Sequence, residues 1–184
     1  MAVETVRAEL VQGNIIVWDI EKGRKLYRLG FYGKPLGIPK PKSADFNAPL
    51  VLDIIEAVYL VEEGLLEVYE DGRKLTLDEL KEHAEKTYEN FREKYQVYRD
   101  LRKRGFIVTP GIKFGSDFAV YRVGPGLEHA PFIVQVKLLG ENISALEIVR
   151  SGRLATTVKK YFTIAVPDRS GEKPTYILFE WWRA

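Results

Sequence analysis

The side chains able to do covalent or metal chemistry in this chain are few. Its 184 residues include no cysteine, which excludes disulfides, thiolate zinc sites and cysteine nucleophiles together. The only histidines are His83 and His129, too few for a histidine-rich metal site. What remains are proton carriers and fixed charges, among them Tyr121, His129, Lys160 and Arg153. Each has an ordinary reading when taken singly. Tyr121 is one of ten tyrosines and suits a strand edge, and His129 follows a Gly124-Pro-Gly126 loop as a surface residue would. Lys160 ends a helical segment, where the helix dipole favours a cation. Arg153 could hold a phosphate or a neighbouring carboxylate.

Charge gives these residues a context. The formal net charge is only +2, but residues 1–90 carry 12 Lys+Arg against 17 Asp+Glu and residues 91–184 carry 16 against 9. An acidic module followed by a basic one points to a polyanion partner for the second, or to two merely solvated surfaces. Hydrophobic residues at 46% and charged ones at 29% mark a globular chain. No apolar run reaches the roughly 18–20 residues of a membrane span, and Met1-Ala-Val-Glu-Thr-Val-Arg7 has no signal-peptide core. The expectation is a soluble, cytoplasmic protein without a membrane partner.

The elements that must position these residues are read from periodicity and caps. In the first half, Asn14–Trp18 and Lys25–Leu29 read as strands around a Glu21-Lys-Gly23-Arg24 turn. Gly and Pro break the chain from Gly30 to Pro41, and Ala48–Val61 reads as a helix or a strand–helix pair. Leu65–Tyr69 reads as a strand, and Thr76-x-x-Glu79 is a capping box. Phe91, Tyr95, Tyr98 and Leu101 form one apolar helical face. That helix ends in Arg99, Arg102, Lys103 and Arg104, cations that suit its dipole, with Gly105 as the cap.

The remainder reads as strands at Phe106–Thr109, Phe118–Arg122 and Phe132–Leu138, then a helix from the capping box Ser144-x-x-Glu147 to about Val158. Tyr161–Val166 and Tyr176–Trp181 are the last strands. The pattern predicts an α/β (α+β) protein: a small mixed α/β domain over residues 1–90, then a compact domain over 91–184 with a mixed central sheet and flanking helices.

Specific motifs in the second half carry a family resemblance. Tyr98-Arg-Asp-Leu-Arg-Lys-Arg-Gly-Phe-Ile-Val-Thr-Pro-Gly-Ile-Lys-Phe-Gly-Ser-Asp-Phe-Ala-Val-Tyr121, His129-Ala-Pro-Phe-Ile-Val134, Gly152-Arg-Leu-Ala-Thr-Thr-Val-Lys-Lys160 and Trp181-Trp-Arg183 follow in the order found in the archaeal tRNA-intron endonucleases. The chain resembles the catalytic subunit of that family over most of residues 91–184, whereas residues 1–90 agree only in length and general character. The resemblance implies a Tyr-His-Lys triad at Tyr121, His129 and Lys160, working without a metal or cofactor. Lys159 is adjacent, and the family's Val-x-Lys pattern selects Lys160 through Val158. Arg153 and Arg183 would clamp a bulged base. Asp168 and Glu172, in the loop Pro167–Pro174, would dock an acidic loop into a neighbouring subunit. The implied partners are precursor tRNA, cut at a bulge–helix–bulge, and other endonuclease subunits in a homo- or hetero-oligomer.

The implied chemistry suits these side chains. The RNA supplies its own nucleophile, the 2′-hydroxyl beside the scissile phosphate. Attack needs a base on that hydroxyl, an acid on the departing 5′-oxygen and positive charge at the phosphorane. Tyr121 would be the base, His129 the acid and Lys160 the charge. The products would be a 2′,3′-cyclic phosphate and a 5′-hydroxyl. A tyrosine at its reference pKa near 10 is ionised to about one part in a thousand at neutral pH, so a cation such as Lys160 is expected to draw it down.

Two other functions compete. Asp117 with Gln135-x-Lys137 is similar to a degraded Asp…Glu-x-Lys motif of Mg²⁺-dependent DNA nucleases, whose chemistry needs two carboxylates on the metal; here the second is Gln135. The other is a non-catalytic RNA-binding or structural subunit, which would have no reason to keep the three triad residues.

Overall fold

The computed structural model describes residues 5–39, 41, 43–112, 115–157, 159–171 and 173–180. The chain divides into two compact units, Met1–Phe91 and Arg92–Ala184. Both are mixed α/β, the predicted class.

In the first unit the elements run β1 (Val6–Val11), β2 (Asn14–Val17), α1 (Ile20–Gly30), β3 (Lys34–Pro35), β4 (Leu50–Leu52), α2 (Ile54–Glu62), β5 (Leu66–Glu70), β6 (Arg73–Lys74) and α3 (Leu77–Thr87). The sheet order is β3-β4-β2-β1-β5-β6, with β1 parallel to β5 and antiparallel to β2. One sequence expectation fails here: Lys25–Leu29 is helix, not strand. Asp19 caps α1 by accepting the Lys22 amide, and Gly23, Leu26, Tyr27 and Gly30 are its buried residues. Their spacing of three, one and three is a helical face. Gly23, read as a turn residue, instead lets the helix approach the sheet: a Cβ there would lie 3.0 Å from that of Leu50.

The second unit contains α4 (Phe91–Lys103), β7 (Ile107–Pro110), β8 (Phe118–Tyr121), β9 (Phe132–Val136), α5 (Ala145–Thr157), β10 (Tyr161–Val166) and β11 (Thr175–Phe179). The strand order is β11-β10-β9-β8-β7. Among these described strands only β9 and β10 pair in parallel; the other pairs are antiparallel. Successive side chains of a strand face opposite sides, so the sheet carries two packed surfaces. Ala155 of α5 packs with Ile133, Phe162 and Ile164 on one. Tyr98 of α4 packs its ring 5.9 Å from that of Phe118. Phe118 pairs with Val134 and therefore faces the other side from Ile133.

Local departures have local causes. Gly105 closes α4 as expected, at φ 87°, with Gly105 and Phe106 donating to the carbonyls of Arg102 and Leu101. Arg102, however, is not a solvated dipole cation. It is buried, and donates to the Tyr98 hydroxyl and the Val108 carbonyl at 2.9 Å each. The Ser144 box is half made: Ser144 accepts the Glu147 amide at 3.1 Å, but the Glu147 carboxylate reaches Gln135 and Lys137 instead. The third strand stops at Val136 rather than Leu138, whose amide turns to Glu141. Among the described residues no helix is long and apolar enough to cross a membrane.

The Thr76 box of α3 is complete. Glu79 accepts the Thr76 amide at 2.8 Å, the Arg73 guanidinium at 2.7 Å and the Thr76 hydroxyl at 2.9 Å. Together they lower its carboxyl from 4.5 to about 2. A depressed folded pKa contributes stability above the unfolded value and loses it as pH falls through the folded one. Glu79→Gln keeps the capping geometry without the charge. It should melt below the wild type at neutral pH, and the gap should close between 4.5 and about 2 when melting is followed by circular dichroism.

Candidate active site

Tyr121 ends β8, opposite Ile107 of β7. Thr109 lies two residues further along β7 on the same face and hydrogen-bonds the phenol. Burial pushes the Tyr121 hydroxyl above its usual 10; the Thr109 bond pulls it down and the nearby Glu128 carboxylate pushes it up again. The net direction is upward, opposite to the lowering expected from a neighbouring cation. Desolvation and a like charge both disfavour a phenolate.

The chain leaving Tyr121 folds back on itself before reaching His129. Gly124 and Gly126 take φ of 145° and 86°, backbone that a side chain rarely adopts. The amides of Leu127 and Glu128 both return to the Gly124 carbonyl at 3.2 Å. Glu128 Oε1 accepts the Val123 amide at 2.5 Å. That bond, with those from the Arg122 and Gly124 amides and the Arg122 charge, holds the carboxyl below its usual range. His129 follows, exposed to solvent, and Ala130, next in the chain, is buried.

Lys160 arrives from the other side. Helix α5 closes with Lys159 in the left-handed region at φ 55°. The Lys159 amide donates to Thr156 at 3.0 Å and the Lys160 amide to Ala155 at 2.8 Å, the paired bonds of a Schellman closure. This closure leaves Lys159 exposed and turns Lys160 toward β9. There its Nζ donates to the Ala130 carbonyl at 2.8 Å, and the next amide, of Tyr161, donates to Pro131 at 2.8 Å.

Register brings the three positions to one end of the sheet. Phe132 pairs with Val120 on one side and Tyr161 on the other. The end of β8 and the starts of β9 and β10 therefore lie together, with Tyr121, His129 and Lys160 within three residues of that row. Arg153 is exposed on α5, next to the buried Gly152. Asp168 is exposed and accepts from the Ser170 amide at 3.0 Å and from the Ser170 hydroxyl, closing its own turn. Arg183, Glu172, Val158 and Trp181 lie outside the described residues.

The family model of the tRNA intron endonuclease catalytic C-terminal domain matches residues 91–176, and that of the tRNA intron endonuclease N-terminal domain matches residues 6–81. The chain belongs to the tRNA intron endonuclease family. The first half is thus part of the same family, although its sequence agreed only in general character. A tRNA-splicing endonuclease of Hyperthermus butylicus is 48% identical over 177 residues, 96% of this chain and 98% of its own. Those of Sulfurisphaera tokodaii and Saccharolobus islandicus are each 42% identical, covering 94% and 96% of this chain and 97% and 98% of theirs.

The competing metal motif has other work in this endonuclease-family chain. Asp117 pairs with Lys94 at 2.9 Å and accepts the Val136 amide at 2.7 Å. Gln135 donates to Glu147, and Lys137 pairs with both Glu141 and Glu147. Among the described residues no group of three His, Cys, Asp or Glu side chains could hold a metal. Sequence reasoning missed Thr109, Lys94 and Glu128, since each acts across the fold or on backbone amides. Asp117→Ala should lower stability by about 1–3 kcal/mol, because the Val136 amide loses its acceptor. Mg²⁺ should leave the wild-type melting temperature unchanged. A Mg²⁺-dependent rise abolished by Asp117→Asn would return Asp117 to metal chemistry.

Proposed function

We propose that this chain is the catalytic subunit of a tRNA-splicing endonuclease, cutting precursor tRNA at bulge–helix–bulge sites without a metal. Tyr121 removes the proton from the 2′-hydroxyl, His129 protonates the departing 5′-oxygen, and Lys160 stabilises the charge on the phosphorane. The products are a 2′,3′-cyclic phosphate and a 5′-hydroxyl. The observation that supports this reading best is the Lys160–Ala130 bond of 2.8 Å, which ties the lysine to the residue following the histidine. The raised phenol pKa fits a base that is rarely ionised but strongly basic when it is.

Arg153 presents its guanidinium to a bulged base, by stacking on its plane, and Arg183 is its partner in the clamp. A substrate with two related cleavage sites calls for two active sites, hence an assembly of at least two subunits. Asp168 and Glu172 supply the acidic loop that docks on the neighbour.

The test is His129→Ala in single-turnover cleavage of a bulge–helix–bulge RNA. The rate should fall by about 10²–10⁴, the usual contribution of one general acid, with RNA affinity almost unchanged. A substrate with sulfur at the bridging 5′ position needs little protonation to depart and should largely restore the rate. A variant that cuts both substrates at the wild-type rate removes His129 from the chemistry.

A further inference from the structure

The ten-residue segment from Arg122 to Pro131 joins β8 to β9 and carries the proposed acid, and its conformation depends on one side chain that the triad leaves out. Glu128 neighbours His129 in sequence, yet its carboxylate turns back to the amide of Val123 at 2.5 Å. The Arg122 and Gly124 amides lie near enough to help hold it ionised. The loop's start is thus held by a carboxylate from its own later residues. The Gly124 carbonyl accepts both the Leu127 and the Glu128 amides, so the turn from Val123 to Glu128 is closed by backbone and side-chain bonds together. The same carboxylate acts on Tyr121 through its charge. One residue therefore binds the start of the loop and acts on the phenol while preceding His129 in the chain.

We propose that Glu128 is a positioning residue for the cleavage reaction: by binding the Val123 amide across the loop it fixes where His129 stands relative to Tyr121. This rests on the reading of Tyr121 and His129 given above. His129 is exposed on a loop containing two left-handed glycines. Such backbone has many accessible states unless it is tied. Ala130, held by Lys160, anchors the loop after His129, and Glu128, bound to Val123, anchors it before. The groups that face Tyr121 and Glu128 are Thr109 from β7, which bonds the phenol, and Arg122, the cation beside the carboxylate.

Two variants separate the contributions. Glu128→Ala removes the acceptor and should reduce single-turnover cleavage by about 10- to 100-fold, as a misplacement on the order of 1 Å does, while RNA affinity and the melting curve change little. Glu128→Gln keeps an oxygen acceptor for the Val123 amide and should restore most of that loss. It also removes the charge near Tyr121, so the phenol should titrate at lower pH than in the wild type. That titration is read without RNA, as the ultraviolet difference between each protein and its Tyr121→Phe counterpart. Wild-type cleavage by Glu128→Ala would overturn the proposal, as would a Tyr121 phenol that titrates identically in wild type and Glu128→Gln. If His129→Ala also cut normally, the reading of the reaction would fail instead, and the titration alone would still decide whether Glu128 faces Tyr121.

Discussion

Everything at the candidate site hangs on one parallel strand pair. β9 and β10 run side by side with Phe132 opposite Tyr161. Parallel neighbours need a crossover, usually a helix, and α5 is that crossover. Its exit must deliver the chain to the start of β10, beside the start of β9, and the Schellman closure at Lys159 sets the last turn. The Lys160 ammonium then meets the Ala130 carbonyl at 2.8 Å. The two segments bearing the proposed acid and the proposed charge are thus joined by strand pairing, by the Tyr161–Pro131 amide bond and by the lysine itself. A shift of this pairing by one residue would turn every β10 side chain to the opposite face.

The other side of the site is governed by desolvation and a negative charge rather than by a cation. Tyr121 is partly buried, and Glu128 faces it from the returning loop. Both disfavour the phenolate. The same carboxylate binds the amides of the loop, so the charge that opposes ionisation also orders the segment carrying His129. An active site can accept such a conflict when position contributes more to rate than the ground-state fraction of ionised base.

The sequence revealed what is local and hid what is not. The capping box at Thr76 and the glycine closure at Gly105 were legible because their hydrogen-bonding partners lie within a few residues. The apolar face of Phe91, Tyr95, Tyr98 and Leu101 was legible because helical periodicity needs no tertiary partner; all four are buried. Gly23 was misread because a glycine for close helix–sheet approach looks the same as a glycine for a turn. Arg102 was misread because nothing in a run of basic residues tells which one turns inward to Tyr98 and Val108. Glu147 fits a capping box by spacing, yet Gln135 and Lys137, brought near by the sheet, take its carboxylate. Glu128 carried no spacing signal, since its partners are backbone amides that every residue but proline possesses.

The reaction proposed for this chain uses the RNA's own hydroxyl as nucleophile and side chains alone for the protons and charge. End-group analysis of the products from a bulge–helix–bulge RNA, cut by the purified chain in excess EDTA, tests it most directly. Cleavage is expected in EDTA, with a 2′,3′-cyclic phosphate on the upstream fragment and a 5′-hydroxyl on the downstream one. Cleavage that needs added Mg²⁺ and leaves a 5′-phosphate would contradict it, because those ends require water rather than the 2′-hydroxyl as the attacking group.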